Sequence, residues 1–269
     1  MATLTKVAIA GAGGRMGRTL IELIQDQKNI ALCGGFDHPD SPTIGSDLGL
    51  NAGVTEFGIP IEPNITAIKG EYDVLIDFSL PESTLANVAF CREARKRMVI
   101  GTTGFTDHRS VIEDAGSDIA IVFAPNMSVG VNLCFKLTEL AAEALGDDFD
   151  VEVIEAHHRN KIDAPSGTAL KLGEIVAAKL DRDLASNAIY GREGHTGVRE
   201  RKTIGFETIR AGDIVGDHTV LFAGAGERIE ITHRASSRRT FAVGALRAAT
   251  WIMNRKGGIY DMQDVLNLC

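Results

Sequence analysis

The sequence is poor in cysteine, in positive charge and in long apolar runs, and each shortage excludes a class of protein. Its 269 residues include four cysteines without a C-x-x-C pair, so neither a disulfide framework nor a thiolate zinc site is expected. The formal net charge of −8 disfavours a nucleic-acid coat or an anionic membrane surface as a partner. No stretch approaches the roughly 20 apolar residues that cross a bilayer, and no secretory signal follows Met1. We therefore expect a reduced, cytoplasmic protein.

Buried strands and helices alternate along the first half of the chain. Short, continuously apolar runs predict strands at residues 6–10, 30–36, 74–78, 98–100 and 119–123. Helical spacing runs from Arg15 to about Gln25, and Pro81 suits the first turn of another helix. Continuous apolar strands that are separated by helices indicate a parallel sheet covered on both faces. The first half therefore predicts an α/β fold with a doubly wound parallel sheet.

The second half of the chain has a different pattern. A strand at 151–155 and a helix at about 168–180 are expected, followed by strands at 204–213, 219–223 and 228–233. In the last strand apolar and polar residues alternate, as in a sheet with one face in water. An apolar helix at roughly 241–253 fits the first sheet better than a second one. We expect two domains, residues 1–128 plus 240–269 and residues 129–239.

A glycine-rich loop follows the first strand directly. Residues 11–17 read Gly-Ala-Gly-Gly-Arg-Met-Gly, which is spaced G-x-x-G-x-x-G rather than in the strict G-x-G-x-x-G pattern. Such a turn lets the backbone approach a pyrophosphate, and the N-terminus of the following helix favours the negative charge. Asp37 stands about 20 positions after Gly17, where a carboxylate can bind ribose hydroxyls. We expect a dinucleotide site; the alternative is a structural glycine turn, with Asp37 opening another turn.

The segment 155–168 carries the densest set of reactive side chains. Two histidines, an arginine and a lysine lie within residues 157–161 at the end of a strand, and Ser166-Gly167-Thr168 then begins a helix. Free N–H groups at a helix start suit a carboxylate. A reductase of a small anionic substrate needs cations and N–H donors for the carboxylates and a proton donor. Histidine, or a lysine with a shifted pKa, can serve as that donor near neutral pH.

Other interpretations of this segment remain open. Paired histidines can bind a metal, but no further Cys, His or acid stands at zinc spacing, and we expect none. A solvated basic turn is a second alternative. A Ser–His nucleophilic site is a third, although Ser166 lacks the G-x-S-x-G elbow. The isolated His195, His218 and His233 are expected to be structural, and Trp251 is expected to lie in the core.

Several motifs carry a family resemblance. They are Gly-Ala-Gly-Gly-Arg-Met-Gly from Gly11, Gly-Thr-Thr-Gly-Phe from Gly101, Glu-Ala-His-His-Arg-Asn-Lys-Ile-Asp-Ala-Pro-Ser-Gly-Thr-Ala from Glu155, Tyr-Gly-Arg-Glu-Gly from Tyr190, Ile-Arg-Ala-Gly-Asp-Ile-Val-Gly from Ile209 and Ile-Thr-His-Arg-Ala-Ser-Ser-Arg from Ile231. In this order they resemble the motifs of the 4-hydroxy-tetrahydrodipicolinate reductases, also called dihydrodipicolinate reductases. The resemblance covers essentially the whole chain. The segment from Glu155 is highly specific, whereas the glycine loop alone is not.

The resemblance implies a fold and a reaction. The fold would be a Rossmann-like dinucleotide-binding domain with a smaller α+β domain, whose mixed sheet serves substrate binding and assembly into a homotetramer. The reaction would be hydride transfer from NADH or NADPH to 4-hydroxy-tetrahydrodipicolinate with loss of water, on the diaminopimelate route to lysine. One alternative is another nicotinamide-dependent oxidoreductase of a small anionic substrate, which the basic loop disfavours. Another is a non-catalytic nucleotide sensor, which would not need an intact proton donor.

The resemblance also implies roles for individual residues. His157 would be the proton donor and Lys161 the second catalytic cation. His158, Gly167 and Thr168 would hold the carboxylates of the dicarboxylate substrate. The cofactor, NADH or NADPH, would contact Gly11, Ala12, Gly13, Gly14, Arg15, Met16, Asp37, His38, Gly101, Thr102, Thr103, Ala124, Pro125, Asn126 and Met127.

Two positions depart from the family pattern. Asn160 stands where many relatives have another histidine, which leaves the His157–Lys161 pair intact and alters the polarity of the loop. His38 follows Asp37 where NADPH-using relatives often carry arginine. The preference between the two cofactors is therefore open at this point.

Overall fold

The chain folds into two compact units, which the computed structural model describes over residues 4–105 and 109–268. The first unit comprises Met1–Val129 and Arg238–Cys269, and the second comprises Gly130–Ser237. The domain bounds and the binding roles expected from the sequence, residues 1–128 plus 240–269 and residues 129–239, remain predictions.

The described elements of the first unit begin with a regular alternation of strands and helices. They are β1 (Thr5–Ala10), α1 (Arg15–Ile24), β2 (Ile30–Phe36), α2 (Leu48–Ala52), β3 (Ile61–Glu62), β4 (Val74–Asp77), α3 (Pro81–Glu93), β5 (Arg97–Ile100), α4 (Arg109–Ala115) and β6 (Ala120–Phe123). The second unit follows with α5 (Val129–Leu145), β7 (Asp150–His157), α6 (Gly167–Lys179), α7 (Leu184–Asn187), β8 (Ala188–Tyr190), β9 (Ile204–Arg210), β10 (Gly216–Ala223) and β11 (Arg228–Ala235). The chain then returns to the first unit as α8 (Arg239–Trp251), β12 (Gly258–Tyr260) and α9 (Met262–Leu266).

Seven parallel strands form the sheet of the first unit, in the order β12-β6-β5-β4-β1-β2-β3. Alternate residues of β1 point to opposite faces, so that Val7 and Ile9 pack in one apolar core and Ala8 packs in another. Leu20 of α1 belongs to the first core and Val88 of α3 to the second. Helices therefore cover both faces, and the doubly wound α/β class expected from the sequence is confirmed.

The second unit contains a mixed sheet in the order β11-β10-β7-β9-β8. β7 is parallel to β9 and antiparallel to β10, so the residues at the end of β7 lie between two strands. Burial alternates along β7 and β10, and α6 packs Leu172 and Val176 into the core of this unit. The expected alternation is weaker in β11, an edge strand along which most residues are exposed.

Candidate active site

The glycine loop of the first unit requires glycine at positions 11 and 17. A side chain at Gly17 would overlap the backbone of Gly11 and Ala12, and Gly11 itself has a φ of 72°. The loop is held by the N–H of Ala12, which donates to the Phe36 carbonyl at 3.0 Å. α1 then begins at Arg15 behind Gly14, which has no side chain that could cap it. The first N–H groups of α1 therefore remain free for a phosphate.

The Asp37 carboxylate lies against this loop. Its Oδ2 accepts a hydrogen bond from the Gly13 N–H at 2.9 Å, and its Oδ1 accepts one from the His38 N–H at 2.8 Å. A side chain on Gly13 would collide with Asp37 and Thr43, so the close approach depends on glycine. His38 is exposed, and its Nδ1 accepts from the Asp40 N–H at 3.2 Å. A fixed acid thus stands beside the loop, as the ribose of a dinucleotide requires.

The loop after β5 is fixed by internal hydrogen bonds. Thr102 is buried. Its hydroxyl accepts a hydrogen bond from the Thr84 hydroxyl at 2.9 Å and donates one to Asp77 Oδ1 at 3.3 Å. A side chain on Gly101 would enter the ring of Phe78. Thr103 is exposed.

The loop after β6 divides into inner and outer residues. Ala124 and Met127 are buried and belong to the apolar core of the first unit. Pro125 is exposed and Asn126 is half-buried, with its Oδ1 accepting from the Ser128 N–H at 2.9 Å. Of the four residues expected to contact a cofactor here, the outer two are accessible. Together with the loop and Asp37, these residues fit a dinucleotide.

In the second unit, Glu155 and His157 stand on the same face of β7. Glu155 is 1% exposed, and its carboxylate accepts hydrogen bonds from both Nη atoms of Arg210, each at 2.8 Å. It also accepts from the Ser166 N–H at 3.0 Å, and the Nδ1 of His157 lies 2.6 Å away. A carboxylate with this many donors is an ion at the pH of a cell.

These contacts shift the pKa of both members of the pair. Burial alone would raise the pKa of Glu155, but hydrogen bonds from Arg210, His157 and Ser166 outweigh burial and bring it to about 2. Burial lowers the pKa of His157; Glu155 opposes this, while the charges of Lys161 and Arg210 add to it. Glu155 therefore accepts a hydrogen bond from His157 as an ion. Burial, aided by the charges of Lys161 and Arg210, makes His157 a stronger acid than a free imidazole.

His218 of β10 completes the cluster. Its ring lies 5.0 Å from that of His157, centroid to centroid, and its Nε2 lies 2.9 Å from the Ser166 hydroxyl. Burial, with a smaller contribution from His157, lowers the pKa of His218 to about 3, so this ring stays neutral. The sequence interpretation had left His218 as a structural residue; the fold places it beside the proposed proton donor.

The loop between β7 and α6 holds the remaining predicted residues. Lys161 donates to both oxygens of Asp163 at 2.8 Å. His158 is half-buried, and its Nδ1 is buried without a hydrogen-bond partner among the described residues. At the start of α6, Gly167 is exposed and Thr168 is half-buried. Cations and helix N–H groups are therefore gathered within one loop, which is a site for an anion.

Three members of this cluster, Glu155, Arg210 and His218, had no role in the sequence interpretation. Glu155 offered one signal, because it continues the buried positions of β7 after Val151 and Val153 and is nevertheless charged. Arg210 lies in the motif from Ile209 that resembles the family, but that motif gave it no role, and His218 offered no signal. The pairing of β7 with β9 and β10 brings both to the site.

Two kinds of feature are absent from residues 4–105 and 109–268. Within these ranges no group of three or more His, Cys, Asp or Glu side chains is placed to hold a metal ion. Nor is any helix there both long enough and apolar enough to span a membrane.

Comparison with known proteins bears on the whole chain. Residues 5–127 match the model of the dihydrodipicolinate reductase N-terminus, and residues 130–266 match that of the C-terminus. A 4-hydroxy-tetrahydrodipicolinate reductase from Pseudomonas fluorescens is 57% identical over 267 residues, which cover 98% of this chain and 100% of that protein.

Solved structures agree with this assignment. A dipicolinate-bound dihydrodipicolinate reductase from Paenisporosarcina sp. TG-14 superposes with a TM-score of 0.74 at 27% identity, over 97% of this chain and 99% of that one. GenD2 from gentamicin A biosynthesis, in complex with NAD, shares the fold at 14% identity, with a TM-score of 0.63, over 100% of this chain and 92% of that one. The chain belongs to the dihydrodipicolinate reductase family, which makes it an NAD(P)H-dependent oxidoreductase of lysine biosynthesis and confirms the family and enzyme class expected from its sequence.

Proposed function

We propose that this chain reduces 4-hydroxy-tetrahydrodipicolinate to tetrahydrodipicolinate with His157 as the proton donor. The observation that carries the proposal is the position of His157. Its Nδ1 lies 2.6 Å from an ionised, buried Glu155, and it stands at the end of β7, where the loop with Lys161 and the start of α6 follow. A proton donor and an anion site thus adjoin, as reduction of a dicarboxylate ring requires.

In this reaction one hydride and one proton enter the substrate and one water leaves it. The reduced nicotinamide, when bound, supplies the hydride. The His157 imidazolium donates its proton from Nε2 to the ring. Lys161 stabilises the negative charge that the ring gains as hydride arrives, and it holds a carboxylate of the substrate.

The substrate's carboxylates would be bound by the loop and the helix that follows it. Gly167 and Thr168 begin α6, where backbone N–H groups and the helix dipole attract an anion. His158 would contribute a ring nitrogen as a further hydrogen-bonding group for a carboxylate. The Paenisporosarcina relative was solved with dipicolinate, a planar dicarboxylate, which supports a ligand of this class.

NADH is expected to serve at least as well as NADPH. The loop residues 11–16, Asp37 and the loops after β5 and β6 would hold either cofactor, but Asp37 would face a 2′-phosphate with like charge. His38 is exposed, and its Nδ1 is engaged by the Asp40 N–H at 3.2 Å. No guanidinium stands at this position to offset the repulsion.

Assembly and location are further parts of the proposal, and the family resemblance supports them. We expect a homotetramer formed through the second unit, and a cytoplasmic location. Light scattering of the purified protein should give the mass of four chains, and the mass of one chain would contradict this expectation.

The experiment for the proton donor is His157→Gln, followed by loss of reduced-nicotinamide absorbance with enzymatically generated substrate. Turnover should fall by roughly 10²–10⁴-fold, the usual scale of general acid catalysis. The Kd for NADH should hardly change. The matched control is His195→Gln, because His195 is an exposed histidine of the same unit. Unchanged turnover in a folded His157→Gln would remove His157 from the mechanism.

A further inference from the structure

A buried carboxylate needs hydrogen-bond donors. The Thr208 hydroxyl donates to Glu155 from 3.4 Å, and the three closer donors have different effects. Arg210 neutralises its charge through two parallel hydrogen bonds. The Ser166 N–H ties it to the start of α6. His157 is the third donor. We propose that Glu155 is a positioning residue that keeps the His157 proton on Nδ1, so that Nε2 is the nitrogen that exchanges a proton with the substrate.

The tautomer follows from the chemistry of the pair. An ionised carboxylate accepts hydrogen bonds and cannot donate one, so the Nδ1 that lies 2.6 Å from Glu155 must carry the proton. In the neutral ring Nε2 then has the free lone pair, and in the imidazolium it carries the second, transferable proton. A side chain at Gly216 would come within 3.0 Å of Nε2, so glycine leaves this nitrogen room.

Arg210 allows His157 to act as an acid although Glu155 lies beside it. An unpaired carboxylate at this distance would hold an imidazolium firmly and make it a weak acid. Because Arg210 already shares the charge of Glu155, the His157 proton can leave. Arg210 Nη2 also donates to the Asp163 carbonyl at 2.6 Å, so the same guanidinium fixes the loop that carries Lys161.

The titration of His157 depends on charged or titratable groups from each element packed around it. They are Glu155 on its own strand, Arg210 on β9, His218 on β10, and Lys161 and Asp163 in the following loop. Of these, Glu155 raises the pKa of His157, whereas Lys161 and Arg210 lower it. Loss of the Glu155 charge should therefore lower that pKa further.

The first test is Glu155→Gln, measured as kcat/KM against pH. The inference rests on His157 being the donor, so the rate should fall as pH rises through the pKa of His157. In the variant this decline should move to lower pH, and kcat should drop on the order of 10–100-fold, the scale for a residue that orients a functional one. Glu152→Gln is the control. Glu152 lies on the same strand as Glu155, and it pairs with Arg192 and Arg199 from outside that strand. A Glu155→Gln profile with an unmoved decline would overturn the proposal.

The second test needs no variant at Glu155, which could fail to fold once Arg210 loses its partner. Histidines labelled with ¹⁵N in the ring report which nitrogen is protonated, and the His157 signals are assigned by their loss in His157→Gln. Wild type should show His157 protonated at Nδ1 in its neutral form. A neutral His157 protonated at Nε2 would overturn the proposal.

A double variant separates this inference from the proposed function. In the His157→Gln background, Glu155→Gln should cost less than about threefold in turnover, because the residue it positions is gone. A full additional loss would mean that Glu155 acts elsewhere and would overturn the inference. Full turnover in His157→Gln alone would refute the proposed donor, and the tautomer measurement would still stand.

Discussion

At the scale of single residues, Lys161 is already paired in the folded chain. Both Asp163 oxygens accept from its Nζ at 2.8 Å, and the lysine side chain is 21% exposed whereas that of Asp163 is 55% exposed. In the proposed site, a substrate carboxylate would therefore replace Asp163 at the ammonium group. The hydrogen bonds to Asp163 hold the Lys161 side chain in place until then.

Lys161→Met should weaken the binding of dipicolinate, the ligand of the Paenisporosarcina relative. Loss of a charge-assisted hydrogen bond typically costs on the order of 1.5–3 kcal/mol, and calorimetry should show an affinity reduced accordingly. Lys171→Met is the control, since Lys171 pairs with Glu174 on the exposed side of α6. Equal dipicolinate affinity in Lys161→Met and wild type would place Lys161 outside the substrate site.

A second residue-scale prediction concerns the cofactor. His38→Arg should raise the NADPH/NADH ratio of kcat/KM at pH 7.5, because a guanidinium beside Asp37 would bind the 2′-phosphate that the acid repels. Initial rates with each cofactor measure the ratio. A strong wild-type preference for NADPH that His38→Arg leaves unaltered would show that other groups set the choice, and Arg15 would be the next candidate.

At the scale of elements, helix α2 depends on one cap. Asp47 accepts hydrogen bonds from the N–H groups of Gly49 and Leu50 within α2 and of Phe57 and Ile59 beyond it. Burial alone would raise the pKa of Asp47, but these four donors outweigh it and lower the pKa. A five-residue helix has little stability of its own, so its cap also fixes the loop after it.

Asp47→Ala should therefore destabilise the chain by on the order of 2 kcal/mol, the upper end for the loss of a helix cap. Asp183→Ala is the matched comparison, since Asp183 caps the short helix α7 from an exposed position and bonds only within the first turn and its own loop. Chemical denaturation should show the larger loss for Asp47→Ala. Equal losses would mean that the N–H groups of Phe57 and Ile59, the two donors beyond α2, add nothing to the stability of the chain.

Elements with strong local patterns could be predicted from the sequence, and others could not. β2 was expected at 30–36 and is Ile30–Phe36, because its apolar run has clear ends. α5 was not expected, since its exposed Leu133, Leu137 and Leu140 blur the amphipathic pattern. β12 was also missed: three residues make no pattern, and only pairing with β6 makes them a strand.

At the scale of the whole molecule, the site combines local and distant residues. His157 and Lys161 share one segment, so a motif could reveal them. Arg210 and His218 join them only through the register of the mixed sheet, which no local pattern encodes. The sequence could therefore indicate the groups that we propose to react, but not those that we propose to orient them.

The stability of the whole chain should decrease in acid, and His218 should contribute. Its folded pKa of about 3 lies below the ordinary histidine value, so the unfolded chain binds more protons and stability is lost as pH falls from about 6.5 towards 3. One pKa unit corresponds to about 1.4 kcal/mol. The loss of stability that is due to this ring is therefore roughly 3–5 kcal/mol between pH 6.5 and 3.

His218→Gln, which can keep the hydrogen bond to Ser166, should therefore flatten the fall of the melting temperature between pH 6.5 and 3. Glu155, with a pKa of about 2, acts in the same direction below about pH 4.5 and remains in the variant. The exposed His195→Gln should melt as wild type does at every pH. An unchanged slope in His218→Gln would show that its ring is not buried in the neutral form.

The proposed reaction moves a hydride from the nicotinamide to the ring of 4-hydroxy-tetrahydrodipicolinate. The most direct measurement uses NADH that carries deuterium at the transferred position, enzymatically generated substrate and mass spectrometry of the product. Tetrahydrodipicolinate that carries the deuterium, formed in proportion to the NADH consumed, is the predicted result. Oxidation of NADH without deuterium in that product, or no oxidation with either reduced cofactor, would contradict this hydride transfer.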